Sequence, residues 1–195
     1  MSFNDLSDVS GLENSTLPKD IIDNKILDIL YLACVNDNIV VIHHLIELII
    51  VPTSGIGINK SRLCNNINND DGDNNNYWSI LGIACYKGYT NIVKLLLTHP
   101  DINVNSHGHY SNDNIHKYMS CSPLYLSCMT NRLDIVNLLL NCNDIDTNFG
   151  QEGNLDSNYS PLMVACQSDN YDIVFVLLDR YDVDVNYKTS KHGAH

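Results

Sequence analysis

One pattern of residues occurs four times along this chain, and a chain assembled from copies of one unit folds as an array of that unit. Three copies align without gaps. Ser79-Ile80-Leu81-Gly82-Ile83-Ala84-Cys85 is followed by Gly88 and a run from Asn91 to Leu97. Ser122-Pro123-Leu124-Tyr125-Leu126-Ser127-Cys128 is followed by Asn131 and a run from Asp134 to Leu140. Ser160-Pro161-Leu162-Met163-Val164-Ala165-Cys166 is followed by Asp169 and a run from Asp172 to Leu178. A weaker copy precedes them, from Asp28 through Cys34 and from Asp37 to Ile46.

Each copy has the chemistry of a helix–turn–helix. Ser122-Pro123 and Ser160-Pro161 put an oxygen-bearing cap before a proline, whose missing N–H costs nothing at the first helical position. Ser79 and Asp28 can cap the other two. Apolar residues such as Leu81, Ala84 and Cys85 then recur at helical spacing. Gly88, Asn131, Asp169 and Asp37 hold the turn, where a left-handed backbone is best tolerated by these residue types. Asn91, Asp134 and Asp172 open the second helix, where a side-chain oxygen or a negative charge is favoured.

The pattern resembles the ankyrin repeat, with its Thr-Pro-Leu-His-x-Ala motif and a later Ile-Val-x-Leu-Leu-Leu helix. The resemblance covers roughly residues 25–186 and implies an all-α solenoid of about four helix–turn–helix repeats. Serine stands for the motif threonine, and Tyr31, Gly82, Tyr125 and Met163 stand for the motif histidine. The period is irregular, because Ala33, Ala84, Ser127 and Ala165 are 51, 43 and 38 residues apart. The excess over the usual ~33 lies between units, so the expectation is enlarged finger loops on an intact stack. The organisation expected is a weakly ordered lead-in over 1–24, with a helix starting near Asp20. A repeat domain occupies 25–186, with units at about 25–52, 77–105, 120–148 and 158–186, and a tail covers 187–195.

Composition narrows the function. The 23 Asp and Glu residues against 11 Lys and Arg give a net charge of −12, which disfavours nucleic acid and anionic membranes as partners. No secretory leader is visible, and the most apolar stretch (residues 39–51) contains His43, His44 and Glu47 and is too short to span a bilayer. The seven cysteines then read as reduced thiols of a cytoplasmic protein. The 27 asparagines fit helix ends, loops and an A/T-rich genome; for a viral source the compartment would be the host cytoplasm. The insert over 53–76 is an Asn/Asp tract with little to bury.

Chemistry-bearing motifs are weak. Cys34, Cys85, Cys128 and Cys166 share one register and read as a repeated core position, too far apart for a common metal or a disulfide. His107, His109 and His116 before Cys121 are the one set that suggests zinc, and a metal-dependent activity in that insert is the alternative function. Their spacing matches no standard finger, so no cofactor is expected. Asp101 to Asn105, Asp144 to Asn148 and Asp182 to Asn186 alternate oxygen-bearing side chains like the start of a calcium loop, but lack its glycine and its closing glutamate. Ser54 to Ser61 is no phosphate loop, since Ser54 and Asn59 stand where glycines are required. No nucleophile–base motif is present, and no enzyme activity is expected.

The resemblance assigns recognition instead. It implies a non-enzymatic adaptor, scaffold or inhibitor that holds a protein partner with its finger tips and concave inner-helix face. The finger residues preceding each inner helix are Trp78, Cys121 and Tyr159, and the late inner-helix pairs are Val35-Asn36, Tyr86-Lys87, Met129-Thr130 and Gln167-Ser168. Among these, Trp78, Tyr86, Lys87, Met129, Thr130, Tyr159, Gln167 and Ser168 are the candidate contacts, Trp78 being equally readable as packing against its neighbour repeat. In the last copy Phe175 replaces His43, Lys94 and Asn137, so an apolar end near Phe175 and Tyr171 is expected, to dock a partner, to drive self-association or as the mark of a truncated longer array.

Overall fold

The computed structural model describes residues 19–36, 38–49, 58–59, 62–64, 76–112, 117–153 and 159–188. The tract over 65–75, His116 and the terminal segments 1–18 and 189–195 lie outside the described residues. The helices are α1 (Lys19–Val35), α2 (Ile39–Ile49), α3 (Ile80–Lys87), α4 (Thr90–Leu96), α5 (Pro123–Met129), α6 (Leu133–Leu140), α7 (Pro161–Gln167) and α8 (Tyr171–Leu178). They form four pairs, α1·α2, α3·α4, α5·α6 and α7·α8. An inner row runs α1·α3·α5·α7 and an outer row runs α2·α4·α6·α8. This is the all-α repeat solenoid that the sequence pattern implies.

Local chemistry sets the helix boundaries. The hydroxyls of Ser79, Ser122 and Ser160 accept from the backbone N–H groups of Gly82, Tyr125 and Met163 at 3.0–3.2 Å, which starts each inner helix. Gly88, Asn131 and Asp169 turn the chain with φ of 79°, 56° and 55°, as their residue types require. The residue after each turn closes the elbow, Tyr89, Arg132 and Asn170 donating to the carbonyls of Ala84, Ser127 and Ala165 at 2.9–3.0 Å. Helix α1 starts at Lys19, so the lead-in and the first inner helix are one element.

The core is one continuous cluster along the stack, dominated by the same register positions in successive units. Leu96, Leu139 and Leu177 are fully buried in the outer row, and Ile83 and Leu126 in the inner row. Cys34, Cys85 and Cys128 are equally buried, which matches a small apolar core position. Cys166 departs from the expected pattern and is exposed. Its side faces where a further unit would stack, and no described residue covers it.

The inserts form fingers, and the fingers form a sheet. β1 (Arg62–Cys64) pairs antiparallel with β2 (Asn76–Trp78), and β3 (Gly108–Asn112) with β4 (Lys117–Cys121). Tyr77 of β2 also pairs with His109 of β3, and β4 pairs with β5 (Gln151–Gly153). The result is one five-stranded sheet in the order β1-β2-β3-β4-β5. The geometry allows this because a hairpin is two strand spacings wide, about 9–10 Å, close to the separation of packed helices. Enlarged fingers therefore zip edge to edge along the stack.

A second ladder runs through the segments that lead into the fingers, just before β1, β3 and β5. Asn59 Nδ2 donates to Asp101 O and its Oδ1 accepts from Asn103 N–H, both at 2.7 Å. Asn105 repeats this with Asp144 O and Asp146 N–H at 2.6 and 2.8 Å, and Asn148 with Asp182 O and Asp184 N–H at 2.8 and 2.6 Å. In the segments that resemble calcium loops, the side-chain oxygens of Asn103, Asn105, Asp146, Asn148 and Asp184 are thus spent on backbone N–H groups of the same or the next unit.

Candidate partner-binding surface

The late inner-helix pairs fall at the C-terminal ends of α3, α5 and α7, one pair per unit. Tyr86 and Lys87 are half-exposed, Met129 is 37% exposed, and Gln167 and Ser168 are exposed. Thr130 is half-buried and turns its hydroxyl back to Leu126 O at 2.8 Å, ending α5. Asn36 holds the same place in the first unit, with its side-chain amide on Leu32 O at 2.7 Å. Because α3, α5 and α7 pack side by side, these pairs make one row.

The finger residues behave differently. Trp78 is 3% exposed and belongs to the core, so it is not available as a contact at a finger tip. Its ring lies 5.5 Å from that of Tyr86 at 46°, which fixes one face of Tyr86. The indole lies beside Gly82, where a Cβ would stand 3.7 Å from Trp78 Cε3, an ordinary contact, and 3.0 Å from Ser79 Oγ, a tight one. The next unit reverses the arrangement, with small Cys121 on the finger and large Tyr125 on the helix. Reading positions 78 with 82 and 121 with 125 as volume pairs is the signal that single-position alignment misses.

Tyr125 is 6% exposed, and burial pushes its phenol well above its ordinary range. Gly150 lets the third finger close over it, since a Cβ there would meet Tyr159 O at 2.0 Å and the Tyr125 ring at 2.8 Å. Tyr159 is consequently half-buried at the finger base rather than at a tip. The capping serines bind the fingers to the stack. Ser79 Oγ donates to Ser106 O at 3.1 Å and Ser122 Oγ to Phe149 O at 2.8 Å, while each accepts from its own helix. A ring pair, His107 and Phe149 at 4.9 Å, joins the second and third finger bases.

Only part of the histidine set lies within the described residues. His107 packs on Phe149, the backbone of His109 pairs with Ser120, and His116 lies outside the described residues. Cys121 is buried, and burial pushes its thiol up to about 12, which disfavours the thiolate that a metal requires. Among the described residues no three His, Cys, Asp or Glu side chains gather in a way that could hold a metal ion. Cys34, Cys85, Cys121, Cys128, Cys142 and Cys166 are free thiols, and no helix among the described residues is long and apolar enough to cross a membrane.

The family described as "Ankyrin repeats (3 copies)" matches residues 107–189, and the single "Ankyrin repeat" matches residues 76–108, together more than half of the chain. No curated protein matches the chain by sequence. The two matched segments contain α3 to α8, and with them every residue of the exposed inner-helix row except Asn36.

Proposed function

Since the chain belongs to the ankyrin repeat family, whose repeats are generally protein–protein interaction modules, we propose that it holds a protein partner on its inner-helix row. In this reading it acts without catalysis, as an adaptor, scaffold or inhibitor, from the reducing cytoplasm in which its free thiols stay reduced. The observation that carries the reading is the row itself. Tyr86, Lys87, Met129, Thr130, Gln167 and Ser168 are presented at one level on three helices whose remaining surfaces are mostly buried.

The chemistry of the row is mixed. Tyr86 supplies an amphipathic ring immobilised on one face by Trp78, and Met129 an adaptable apolar contact. Thr130, Gln167, Ser168 and Lys87 supply polar groups around them, the usual anatomy of an apolar centre with a polar rim. Trp78 and Tyr159 act indirectly, by fixing the finger bases that wall the row.

The test is affinity capture with three forms of the chain, followed by titration of the captured protein. Tyr86→Ala combined with Met129→Asp is expected to lower affinity by at least tenfold, the loss of one or two hot-spot contacts. Lys94→Ala combined with Asn137→Ala changes only exposed positions of the outer row and is expected to leave affinity unchanged. Equal affinity of the first variant, or loss with the second alone, contradicts the assignment.

A further inference from the structure

The two ends of the stack are complementary halves of the interface that already joins its units. At the C-terminal end, positions that a following unit covers in the interior are open. Cys166 is exposed where Cys85 and Cys128 are fully buried, and Leu178 is 49% exposed where Leu140 is 6% and Leu97 is half-buried. Val185 is 64% exposed where Ile58, Val104 and Thr147 are at 1%, 8% and 2%. At the N-terminal end the facing half is open. Leu32 is 56% exposed where Ile83, Leu126 and Val164 are at 0%, 0% and 4%.

The residues at these ends match each other better than they match water. In the interior, Thr90 Oγ1 of α4 donates to Asp134 Oδ2 of α6 at 2.6 Å, an outer-row contact between polar groups. The register places Tyr171 in the position of Thr90, and Val40 in the position of Asp134. Both are apolar and open, at 66% and 68%. In the interior, Asn170 Nδ2 also donates to Cys128 O of the preceding unit at 2.8 Å. Asn38 holds the register of Asn170, and Cys166 that of Cys128.

From this continuity of register we propose that the chain stacks head to tail on a second copy of itself. The C-terminal face of one copy takes the N-terminal face of the next. Tyr171 then packs on Val40 of the next copy, Leu178 and Cys166 are covered, and Asn38 of the next copy donates to Cys166 O. The contact is heterologous, so copies join in series and the assembly is not limited to a dimer by symmetry. The proposal uses the ends of the stack and none of the inner-helix row, so it stands or falls separately from the partner assignment.

Sedimentation velocity on the full chain under reducing conditions tests it, with Leu32→Glu and Leu178→Glu as variants. Both positions are exposed, and unchanged circular dichroism checks that each variant folds. Wild type is expected to grow in mean mass with concentration, beyond a dimer. Each variant alone is expected to be monomeric, while an equimolar mixture forms a discrete heterodimer through the one intact pair of faces. Partner capture by either variant is expected to be unchanged. A wild-type chain that stays monomeric overturns the proposal. So does a Leu32→Glu chain that dimerises alone, which would signify joining of two like faces, and so does a mixture that stays monomeric.

Discussion

Cys166 and Cys128 occupy the same place in the repeated unit and differ in whether another unit packs over them. Cys128 is fully buried, and burial pushes its thiol far up, whereas Cys166 lies on the surface. A bulky thiol reagent applied to the folded chain at a dilution that separates copies is therefore expected to modify Cys166 before the buried Cys34, Cys85 and Cys128. Cys34 and Cys85, both pushed up to about 12, are expected to resist until unfolding; peptide mapping of the adduct decides. Trp78 presents the same lesson in another form. Its burial over Gly82 makes Trp78→Ala a core truncation, expected to cost about 3–5 kcal/mol in denaturant unfolding. A loss below about 1 kcal/mol would show that the indole is not packed as described. The four cysteines are alike in sequence, so their shared core role was legible and the exception was not. Likewise Trp78 is buried by packing against Tyr86 and beside Gly82 in another element, which no reading of one position contains.

The three later helix pairs were legible because each is specified by its own residues: a capping serine, an apolar stripe and a left-handed turn, with a proline after the cap in two of them. Ser122→Ala removes both the bond to Tyr125 N–H and the bond to Phe149 O, so it is expected to cost about 1–2 kcal/mol in denaturant unfolding. The fingers were legible only as inserts. Their merger into one sheet depends on the match of hairpin width to helix spacing, which belongs to the stack and not to any finger. The Asn ladder is written in the sequence as a recurring Asx-x-Asx-x-Asn, but that pattern equally suggests a cation loop until the backbone partners are known. Asn105→Ala breaks two bonds between units and is expected to cost about 1–2 kcal/mol, and added calcium is expected to leave the melting temperature unchanged. Acid acts on the same elements. Thr90 holds the Asp134 carboxyl below its ordinary range, and Arg180 does the same for Asp182 through bonds at 2.6 and 2.9 Å. Depressed carboxylates contribute stability that is full above their unfolded values and is lost as pH falls through the lower folded ones. Acid denaturation curves of Arg180→Ala should accordingly show a smaller loss in that window than wild type.

As a whole the molecule is a one-dimensional object, in which each unit touches only its neighbours and the two ends are chemically distinct from the middle. That organisation leaves the row of inner-helix ends as a surface repeated in register and built from exposed or half-exposed side chains, with Tyr86 braced from beneath by Trp78. The most direct measurement of the recognition role is hydrogen exchange of the chain with and without its captured partner. Binding on the inner row predicts slowed exchange over 82–88, 125–131 and 163–169, with the outer helices α4 and α6 unchanged. Slowed exchange confined to α4 and α6, with the three inner-helix ends unaffected, would contradict it.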